Sequence, residues 1–567
     1  MGEAFVPDLG LWRREGPGHT SPVAKLSAVH SGRDAAVRML VAAQVGESGF
    51  PFATVLEGVS GLQQRDRLAA HYGCFRWYAE EPHPIDTNAA FFIGLNLLVL
   101  NGSYRKILSS PERELMDRML EPLDAWFDFA VGEASFHYPN KFMGDLVCSW
   151  LLKEQLKKTT VPASRHLLAV MEDAADYWKN EHWGWGEHLS NGYSRILLDE
   201  LSILLFCSKA FPKTLHTRYL ELFKELLRLE DSFASGPRVP TIRDYGFDVP
   251  PCSVEYRDTV RIYQSFEDGG AGNLYGLSRA PKYELPAFCF GHLLYERGWH
   301  KKAPKRRLPE TNIEVPCFGG AVARAWRKNT LRIGSLSAFP IMPKTDHPTW
   351  GLSWQSFPLS FHVELDGSKY WGFLRWRTTE SGVERAHPAL NKGSAFLNNA
   401  LSAAIDPPPV GLTSSLQENS QVIVLRRMPQ IVQSWSDFSD GVEVVGFAGY
   451  AETQTIGQTS HLRLEFSDGT KLFIHYHGLG MSGNPELIRD ANLFRWSILH
   501  KPEDLYPRGA SAGLWLFSFE SEVRPVISKI MEPTRYPRQE RWKVEWAAFS
   551  QTIIVEPQAP AVVLRAM

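Results

Sequence analysis

The spacing of apolar residues changes once along this chain, and that change constrains its fold more than any other feature. From about Ser31 to Arg297, apolar residues recur every three or four positions, as they do on one face of a helix. Beyond the charged segment 300–310, they alternate with polar residues in short runs, which is typical of half-buried strands. The sequence therefore predicts an α+β multidomain protein, an N-terminal (α/α) toroid followed by a C-terminal antiparallel β-sandwich.

Several helices can be placed from sequence signals. Ser110-Pro111-Glu112 supplies an N-cap, a proline at the first helical position and an acidic residue in the first turn. Helical spacing of apolar residues predicts further helices over Ala35–Ala43, Phe142–Leu156, His166–Trp178, Leu197–Lys209 and Thr217–Leu229. Consecutive helices without strands between them indicate helix pairs arranged in a ring or a bundle.

Two hairpins in the second half are marked by Asp-Gly pairs. Asp366-Gly367 follows the alternating run that ends at Leu365, and Asp468-Gly469 follows the run that ends at Phe466. Asp-Gly between alternating runs is a strong signal for a tight hairpin. Further strands are predicted over Val422–Leu425, Val442–Val445, Leu514–Phe519, Ile553–Val555 and Val562–Leu564.

The boundary between the two halves is a basic, proline-containing segment. Five lysines and arginines crowd two prolines between residues 300 and 309, which indicates a solvated linker. A chain of 567 residues is also too long for one compact core. We therefore predict a toroid over residues 1–299, a linker over 300–310 and a sandwich over 311–567.

Charge and cysteine content exclude some function classes. With 61 Lys+Arg against 63 Asp+Glu, the net charge of −2 argues against a nucleic-acid or membrane surface. The six cysteines form no CxxC pair, which predicts mostly buried thiols. No export signal or membrane-spanning run is visible, so we expect a soluble, cytoplasmic protein. Its oligomeric state leaves no trace in the sequence.

The stretch Glu181–Leu205 concentrates candidate functional side chains. An aromatic, glycine-punctuated segment runs into a leucine-rich helix. His188 and Asn191 are three residues apart, so on a helix they share one face, with Arg195 one turn further along. Imidazole, amide and guanidinium groups beside indole rings indicate a carbohydrate site. An alternative interpretation is that His188 and Asn191 only cap the helix.

Three short segments resemble one enzyme family. Residues 187–191, EHLSN, resemble the Asn-His-Leu-containing helix start of heparinase II/III-like polysaccharide lyases. Residues 252–260, CSVEYRDTV, look like that family's Ser-Pro-x-Tyr-His-x-Tyr-Val segment and align Tyr256 with its catalytic tyrosine. In the sheet half, residues 347–350, HPTW, followed by Ser360-Phe361 and Asp366-Gly367, resemble its histidine-rich strand and glycine turn.

The resemblance implies β-elimination at a uronic acid in an acidic oligosaccharide or polysaccharide, with no cofactor. His188 and Tyr256 would then transfer protons, and Asn191 would bind the acid group; which of the first two is the base stays open. Tyr245 is a second tyrosine candidate. The substrate would be positioned by Glu187 and by Asn88, Asn140, Arg257, His347, Trp350 and Trp354.

Two other functions remain open. Glu187 stands where the family usually has asparagine, and helical toroids also hydrolyse glycosides with two carboxylates across the bond. A glycoside hydrolase, such as a glucuronidase, would draw on Asp86, Glu187, Asp199, Glu255 or Asp258. Asp86-Thr87-Asn88 is also a simple N-cap cluster. The third alternative is a glycan-binding protein without catalysis.

Two features of the sheet half have competing interpretations. His475 and His477 lie two apart on a predicted strand and face the same side. Without a nearby cysteine or aspartate we expect surface residues there and no metal site. Trp371, with Trp350 and Trp354, would either stack on sugars across the domain junction or pack between sheets.

Overall fold

A computed structural model of the chain describes residues 4–232, apart from 134–135, 137, 160–161, 184–188 and 190–192, together with residues 239–242 and most of 312–566. Residues 243–311, which include the predicted linker, lie outside the described part. In the sheet half, so do 339–355, 385–412, 428–436, 501–511, 531–539 and 556–564, with a few shorter segments.

The first half is helical, as the apolar spacing predicts. No helix in the described part of the chain is both long enough and apolar enough to cross a membrane. The helices are α1 (Gly32–Val45), α2 (Phe52–Gly61), α3 (Ala89–Tyr104), α4 (Ser110–Glu133), α5 (Pro139–Gln155), α6 (Pro162–Asn180), α7 (Tyr193–Cys207) and α8 (Lys213–Ser232).

The helices form two layers. Odd-numbered helices pack in series, α1 on α3, α3 on α5 and α5 on α7, whereas α2 packs on α4 and α6 on α8. Nearly every residue of α3 and α5 is buried, as an inner layer requires, whereas α8 is apolar on one face only. Burying each large apolar side chain contributes about 1.5–3 kcal/mol. This alternation of inner and outer helices is the (α/α) arrangement that was predicted.

Specific contacts show that the inner helices run in the same direction. Gly144, near the start of α5, lies against Phe91, near the start of α3. At the other end, Asn101 of α3 donates a hydrogen bond of 2.7 Å to Gln155 of α5. Trp150 of α5 donates one of 3.0 Å to Ser208, just after α7. A Cβ on Gly32, the first residue of α1, would lie 3.1 Å from the Ile93 side chain near the start of α3. The N-terminal ends of α1, α3, α5 and α7 therefore lie at one end of the helical domain, which we call the N-terminal rim.

Strands occur at both ends of the chain. A small N-terminal sheet, which the sequence did not indicate, contains β1 (Ala4–Val6), β2 (Leu11–Glu15) and β3 (Ala28–His30). The others are β4 (Thr241–Ile242), β5 (Asn312–Pro316), β6 (Val322–Lys328), β7 (Leu331–Leu336), β8 (Ser356–Phe357), β9 (Leu359–Leu365), β10 (Ser368–Glu380), β11 (Val383–Glu384), β12 (Thr413–Glu418), β13 (Gln421–Arg427), β14 (Asp437–Val445), β15 (Tyr450–Ile456), β16 (Thr459–Glu465), β17 (Lys471–Leu479), β18 (Glu486–Arg489), β19 (Leu493–His500), β20 (Ala512–Ser518), β21 (Val526–Ile530), β22 (Glu540–Trp546), β23 (Phe549–Val555) and β24 (Arg565–Ala566).

Three antiparallel sheets of the second half are stacked. A nine-stranded sheet has the order β18-β19-β14-β10-β9-β7-β6-β5, with β11 paired to β10. A six-stranded sheet has the order β12-β13-β20-β17-β16-β15, and a four-stranded sheet the order β21-β22-β23-β24. One apolar core lies between the first two sheets, and a second lies between the six-stranded and four-stranded sheets. The predicted antiparallel sandwich is confirmed, with a third layer added.

The far face of the nine-stranded sheet contacts the end of the helical domain. Leu229 of α8 and Val239 share a small apolar core with Trp371, Phe373 and other sheet residues. Trp371 is only 1% exposed. Trp371 therefore packs where the sheet meets the helical domain, so both roles considered for it, sugar stacking and packing between sheets, are wrong.

Both Asp-Gly hairpins are present. Leu365 pairs with Ser368 across the first turn, so two residues connect β9 and β10. In the second turn, Gly469 has a φ of 82°, which favours glycine. The alternation therefore specified the register of both hairpins. Val562–Leu564, a predicted strand, lies outside the described residues.

His475 and His477 are buried, so the prediction of surface residues is wrong. They are 3% and 4% exposed. Their rings make edge-on contacts with Trp546 and Trp542 of the four-stranded sheet. The third sheet, which covers this face, could not be read from the two-residue spacing. The described residues contain no cluster of three or more potential metal ligands.

Candidate active site

The N-terminal rim collects polar side chains from separate connections. Each inner helix is entered from a connection that follows an outer helix or the N-terminal sheet. Helix N-termini present unpaired N–H groups and a partial positive charge, so several of them together favour an anionic ligand. The predicted residues Asn88 and Asn140 both lie here, at the starts of α3 and α5.

Asp86 caps the start of α3. Its carboxylate accepts a hydrogen bond of 3.0 Å from the Asn88 backbone N–H, and its carbonyl accepts one from Ala89. The Asn88 side chain makes no capping bond, although it is only 8% exposed. The N-cap interpretation of this cluster is therefore confirmed for Asp86, while the amide of Asn88 is not used to cap the helix.

Asn140 and Lys141 follow the proline that begins α5. Asn140 is 1% exposed. The Lys141 ammonium lies 2.5 Å from the buried carboxylate of Asp145, one turn further along. Burial lowers the pKa of Lys141, but the Asp145 carboxylate outweighs this, and the pKa is raised. The first turn of α5 therefore holds a charged ammonium and an amide side by side.

Below the rim, two fully buried carboxyl groups lie in neighbouring helices, that of Asp145 in α5 and that of Glu200 in α7. Glu200 of α7 is fully buried, and neither of its carboxyl oxygens has a hydrogen-bond partner among the described residues. Burial, with Asp199 and Asp145 nearby, raises the pKa of Glu200 well above its ordinary value. The surroundings of Glu200 therefore favour the neutral, protonated form of its carboxyl group. Neither its sequence position nor its spacing marked it as unusual.

A second cluster joins the N-terminal segment to the rim. The imidazole of His19 lies between two partners, 2.8 Å from the Tyr78 hydroxyl and 3.2 Å from the Asp86 carboxylate. The Arg14 guanidinium donates to the same hydroxyl at 3.4 Å. His19 and Tyr78 were not predicted as site residues, since 59 residues separate them and no motif links them.

Most of the other predicted site residues cannot be compared with the structure. Those that lie outside the described residues are Glu187, His188, Asn191, Tyr245, Glu255, Tyr256, Arg257, Asp258, His347, Trp350 and Trp354. The connection that carries Glu187, His188 and Asn191 begins after Trp183, which is stacked on Trp178, and leads into α7 at Tyr193. Of the carboxylates considered for hydrolysis, Asp86 is a helix cap and Asp199 is buried within α7.

Comparisons with known proteins do not assign the chain to a family. No family model matches the chain, and no curated protein matches it. Among solved structures, the chain is similar to a mutant of the heparan sulfate lyase HepC from Pedobacter heparinus, with a TM-score of 0.36 and 11% identity over 84% of this chain and 77% of the other. The unmutated HepC gives a TM-score of 0.23 and 10% identity over 84% of each chain. At these scores the likeness establishes no family.

Proposed function

We propose that this protein is a lyase that cleaves a uronic-acid-containing oligosaccharide or polysaccharide by β-elimination. The observation that carries the proposal is the common direction of the inner helices. Their N-terminal ends converge on one rim, and this rim carries Asn88, Asn140 and Lys141. Helix dipoles, amides and an ammonium together suit a substrate with a carboxylate.

Elimination places two demands on such a site. The proton to be removed lies α to a carboxylate and is very weakly acidic, so the negative charge that develops must be stabilised. Buried amides at the rim would donate hydrogen bonds to the carboxylate as it becomes enolate-like. Asn140, which is buried at the start of α5, is proposed for this role, and Asn191 is proposed to share it because its connection leads into α7.

A base and an acid must then act on the same sugar. His188 and Tyr256 are proposed for these proton transfers, with Arg257, His347, Trp350 and Trp354 positioning the ring and Glu187 at its edge. A neutral imidazole can accept a proton near pH 7, and a phenol can donate one to a leaving oxygen. No redox cofactor is required for this chemistry.

A screen over uronate-containing oligosaccharides, read by ultraviolet absorbance, tests the proposal. Elimination forms a double bond conjugated to the carboxylate, so its products absorb. A hydrolase would release reducing ends without this absorbance, and a binding protein would release no product. Either result would refute the proposal that the protein is a lyase.

Variants connect the activity to the rim. Asn140→Ala should lower kcat/KM by about 100-fold if its amide stabilises the developing charge. Asn101→Ala is the matched control, because Asn101 is also buried in the inner layer but lies at the other end of α3. It should lower stability and leave kcat/KM of the folded enzyme unchanged. Tyr256→Phe should abolish elimination without unfolding the protein.

A further inference from the structure

One edge of the six-stranded sheet is open in the described part of the chain. β15 pairs with β16 on one side and is the last strand in the order of this sheet. Ala451 is half-buried, and the other six residues of β15 are exposed. An edge strand directs unpaired N–H and C=O groups outward, and these form a template for pairing with another strand.

The opposite edge of the same sheet is closed. The backbone N–H of Ser415 in β12 donates a hydrogen bond of 3.0 Å to the carbonyl of Ser337, just after β7. The side-chain amide of Gln417 in β12 donates one of 3.1 Å to the carbonyl of Ile333 in β7. The nine-stranded sheet therefore covers β12, whereas no described segment pairs with the outer edge of β15.

β15 also lacks the features that protect most exposed edges. Such strands are usually short, or they carry lysine, proline or a bulge. Among the other outer strands, β18 has four residues with a charge at each end, β5 ends in Pro316 and β21 carries Lys529. By contrast, β15 has seven residues, contains two threonines and has Glu452 as its only charged residue. Its composition therefore favours strand pairing.

Two-fold symmetry restricts the pairing of β15 with the β15 of a second copy. The two strands are antiparallel, the axis is perpendicular to the sheet, and each face of the sheet stays on its own side. Directly opposite residues of an antiparallel pair point to the same face. One residue of β15 must therefore lie opposite its own copy, with its neighbours paired symmetrically around it.

Pairing centred on Thr453, the middle residue, engages all seven residues of β15. Tyr450 then lies opposite Ile456 of the second copy, and symmetry repeats this contact at the other end of the strand. These side chains are 56% and 43% exposed in the single chain. Aromatic and β-branched side chains interact favourably across strands, so both ends of the strand are self-complementary.

The charges in this register are also complementary. Glu452 lies opposite Gln454 of the second copy, whereas a register centred on Glu452 would oppose two carboxylates. The Gln454 side chain accepts a hydrogen bond of 2.9 Å from the Arg524 guanidinium. Glu452 of the second copy therefore approaches a cation, in addition to the Arg463 guanidinium that lies 2.9 Å from Glu452 within each chain.

We infer that β15 is the interface of a two-fold symmetric dimer, in which the six-stranded sheets of two copies join into one continuous antiparallel sheet at Thr453. The partner is a second copy of this chain. The inference does not depend on the proposed lyase activity. A single pair of strands is a small interface, so we expect a dissociation constant in the micromolar range.

Sedimentation velocity over a concentration series tests the dimer. The wild-type mass should rise toward that of two chains. Thr453→Lys should raise the dissociation constant by about 100-fold, because two ammonium groups then face each other at the axis. Ile488→Lys is the matched control, since Ile488 is exposed on β18 at the edge of another sheet, and it should dimerise as the wild type does. A wild-type protein with the mass of one chain up to about 100 μM, or an unchanged dissociation constant in Thr453→Lys, would overturn the inference.

A mixture of two charge variants distinguishes this interface from a general effect of charge. Thr453→Glu alone should weaken the dimer as Thr453→Lys does. An equimolar mixture of the two variants should form the dimer again, because lysine then faces glutamate across the axis. A mixture that remains as single chains would contradict the register centred on Thr453.

Cross-linking gives the answer even if the charged variants fail to fold. Directly opposite residues of an antiparallel pair have Cα atoms about 4.5–5.5 Å apart, which suits a disulfide. Oxidised Thr453→Cys should therefore run as a covalent dimer on a non-reducing gel. Thr455→Cys should not, because position 455 faces Ala451 of the second copy. Equal cross-linking of the two variants, or cross-linking of neither, would refute the inferred interface.

Discussion

Gly144 of α5 lies directly against the carboxyl group of Glu200 of α7, so that a Cβ at position 144 would be 2.8 Å from Glu200 Oε1. The same Cβ would be 2.5 and 2.7 Å from two ring carbons of Phe91 in α3. Three inner helices thus meet at one glycine. The absence of a side chain there permits their close approach.

Gly144→Ala should therefore destabilise the helical domain. Overpacking in a close-packed core costs about 1–3 kcal/mol, because neither the Phe91 ring nor the helix backbones can move freely. Gly132→Ala is the matched control, since a Cβ at position 132 of α4 meets nothing within 4 Å. Urea unfolding of the two variants measures the difference. Equal stability of both would contradict the packing described for the inner layer.

Glu200→Gln should flatten the dependence of stability on pH. The raised pKa favours the protonated form of Glu200 in the folded protein, whereas the unfolded chain loses that proton above its ordinary pKa of 4.5. The unfolded state thus binds fewer protons, and stability falls as the pH rises above 4.5 toward the raised pKa. Each unit of pKa shift corresponds to about 1.4 kcal/mol.

Thermal unfolding of the wild type and of Glu200→Gln between pH 5 and about pH 8 measures this effect. The glutamine cannot ionise, so its curve should lose less stability over that interval. Asp117→Asn is a control, because Asp117 forms an exposed ion pair with Arg105. Parallel curves for wild type and Glu200→Gln would mean that Glu200 ionises normally in the folded protein.

Arg426 and Asp440 form an ion pair that joins two sheets. Arg426 Nε of β13 lies 3.0 Å from Asp440 Oδ1 of β14. The indole N–H of Trp515 in β20 donates a hydrogen bond of 2.9 Å to the other carboxylate oxygen, Asp440 Oδ2. Both charged residues are nearly fully buried. Arg426→Met should cost about 3–5 kcal/mol, because it leaves a carboxylate buried without its cation.

The double variant Arg426→Met/Asp440→Asn should recover more than half of that loss. It removes the buried charge and keeps an oxygen for the Trp515 N–H to bond. Chemical denaturation followed by tryptophan fluorescence compares the three proteins. A double variant no more stable than Arg426→Met would show that the loss comes from packing of the arginine side chain and not from charge.

Sequence patterns predicted what is local in this protein. Apolar spacing located α5 and α8 within a few residues, and Asp468-Gly469 specified the register of β16 and β17, because helices and hairpins form between residues close in sequence. The spacing also gave the helix-then-sheet order. What covers a given face depends on a distant part of the chain, so the third sheet over His475 was not foreseen.

The candidate site likewise contains some residues that a local sequence pattern predicted and others that depend on distant parts of the chain. Asn88 and Asn140 were found because each precedes or opens a helix, which is a local signal. His19 and Tyr78 were missed because their contact depends on the N-terminal sheet packing against α1 and α2. The cluster of His19, Tyr78 and Asp86 joins two segments that are distant in sequence, so it has no periodicity and no motif. Only the fold brings its members within hydrogen-bond distance.

Because the imidazole of His475 is buried, we expect the folded protein to lose stability in acid. His475 Nδ1 is 2.7 Å from His461 Nδ1, and its Nε2 is buried without a hydrogen-bond partner among the described residues. Burial, then the nearby His461 and Arg524, lowers the pKa of His475 to about 3. The folded state keeps the ring neutral, whereas the unfolded state takes up a proton below pH 6.5. Stability therefore falls as the pH drops from 6.5 toward 3.

His475→Gln should remove this part of the acid sensitivity. Between pH 7 and pH 5, the variant should lose about 2 kcal/mol less stability than the wild type, since each unit below the ordinary pKa contributes about 1.4 kcal/mol. Urea unfolding at the two pH values gives the comparison. His166→Gln, an exposed position on α6, should match the wild type. An identical acid loss in His475→Gln would mean that the ring accepts a proton in the folded protein, and the close contact with the four-stranded sheet would then have to tolerate a charge.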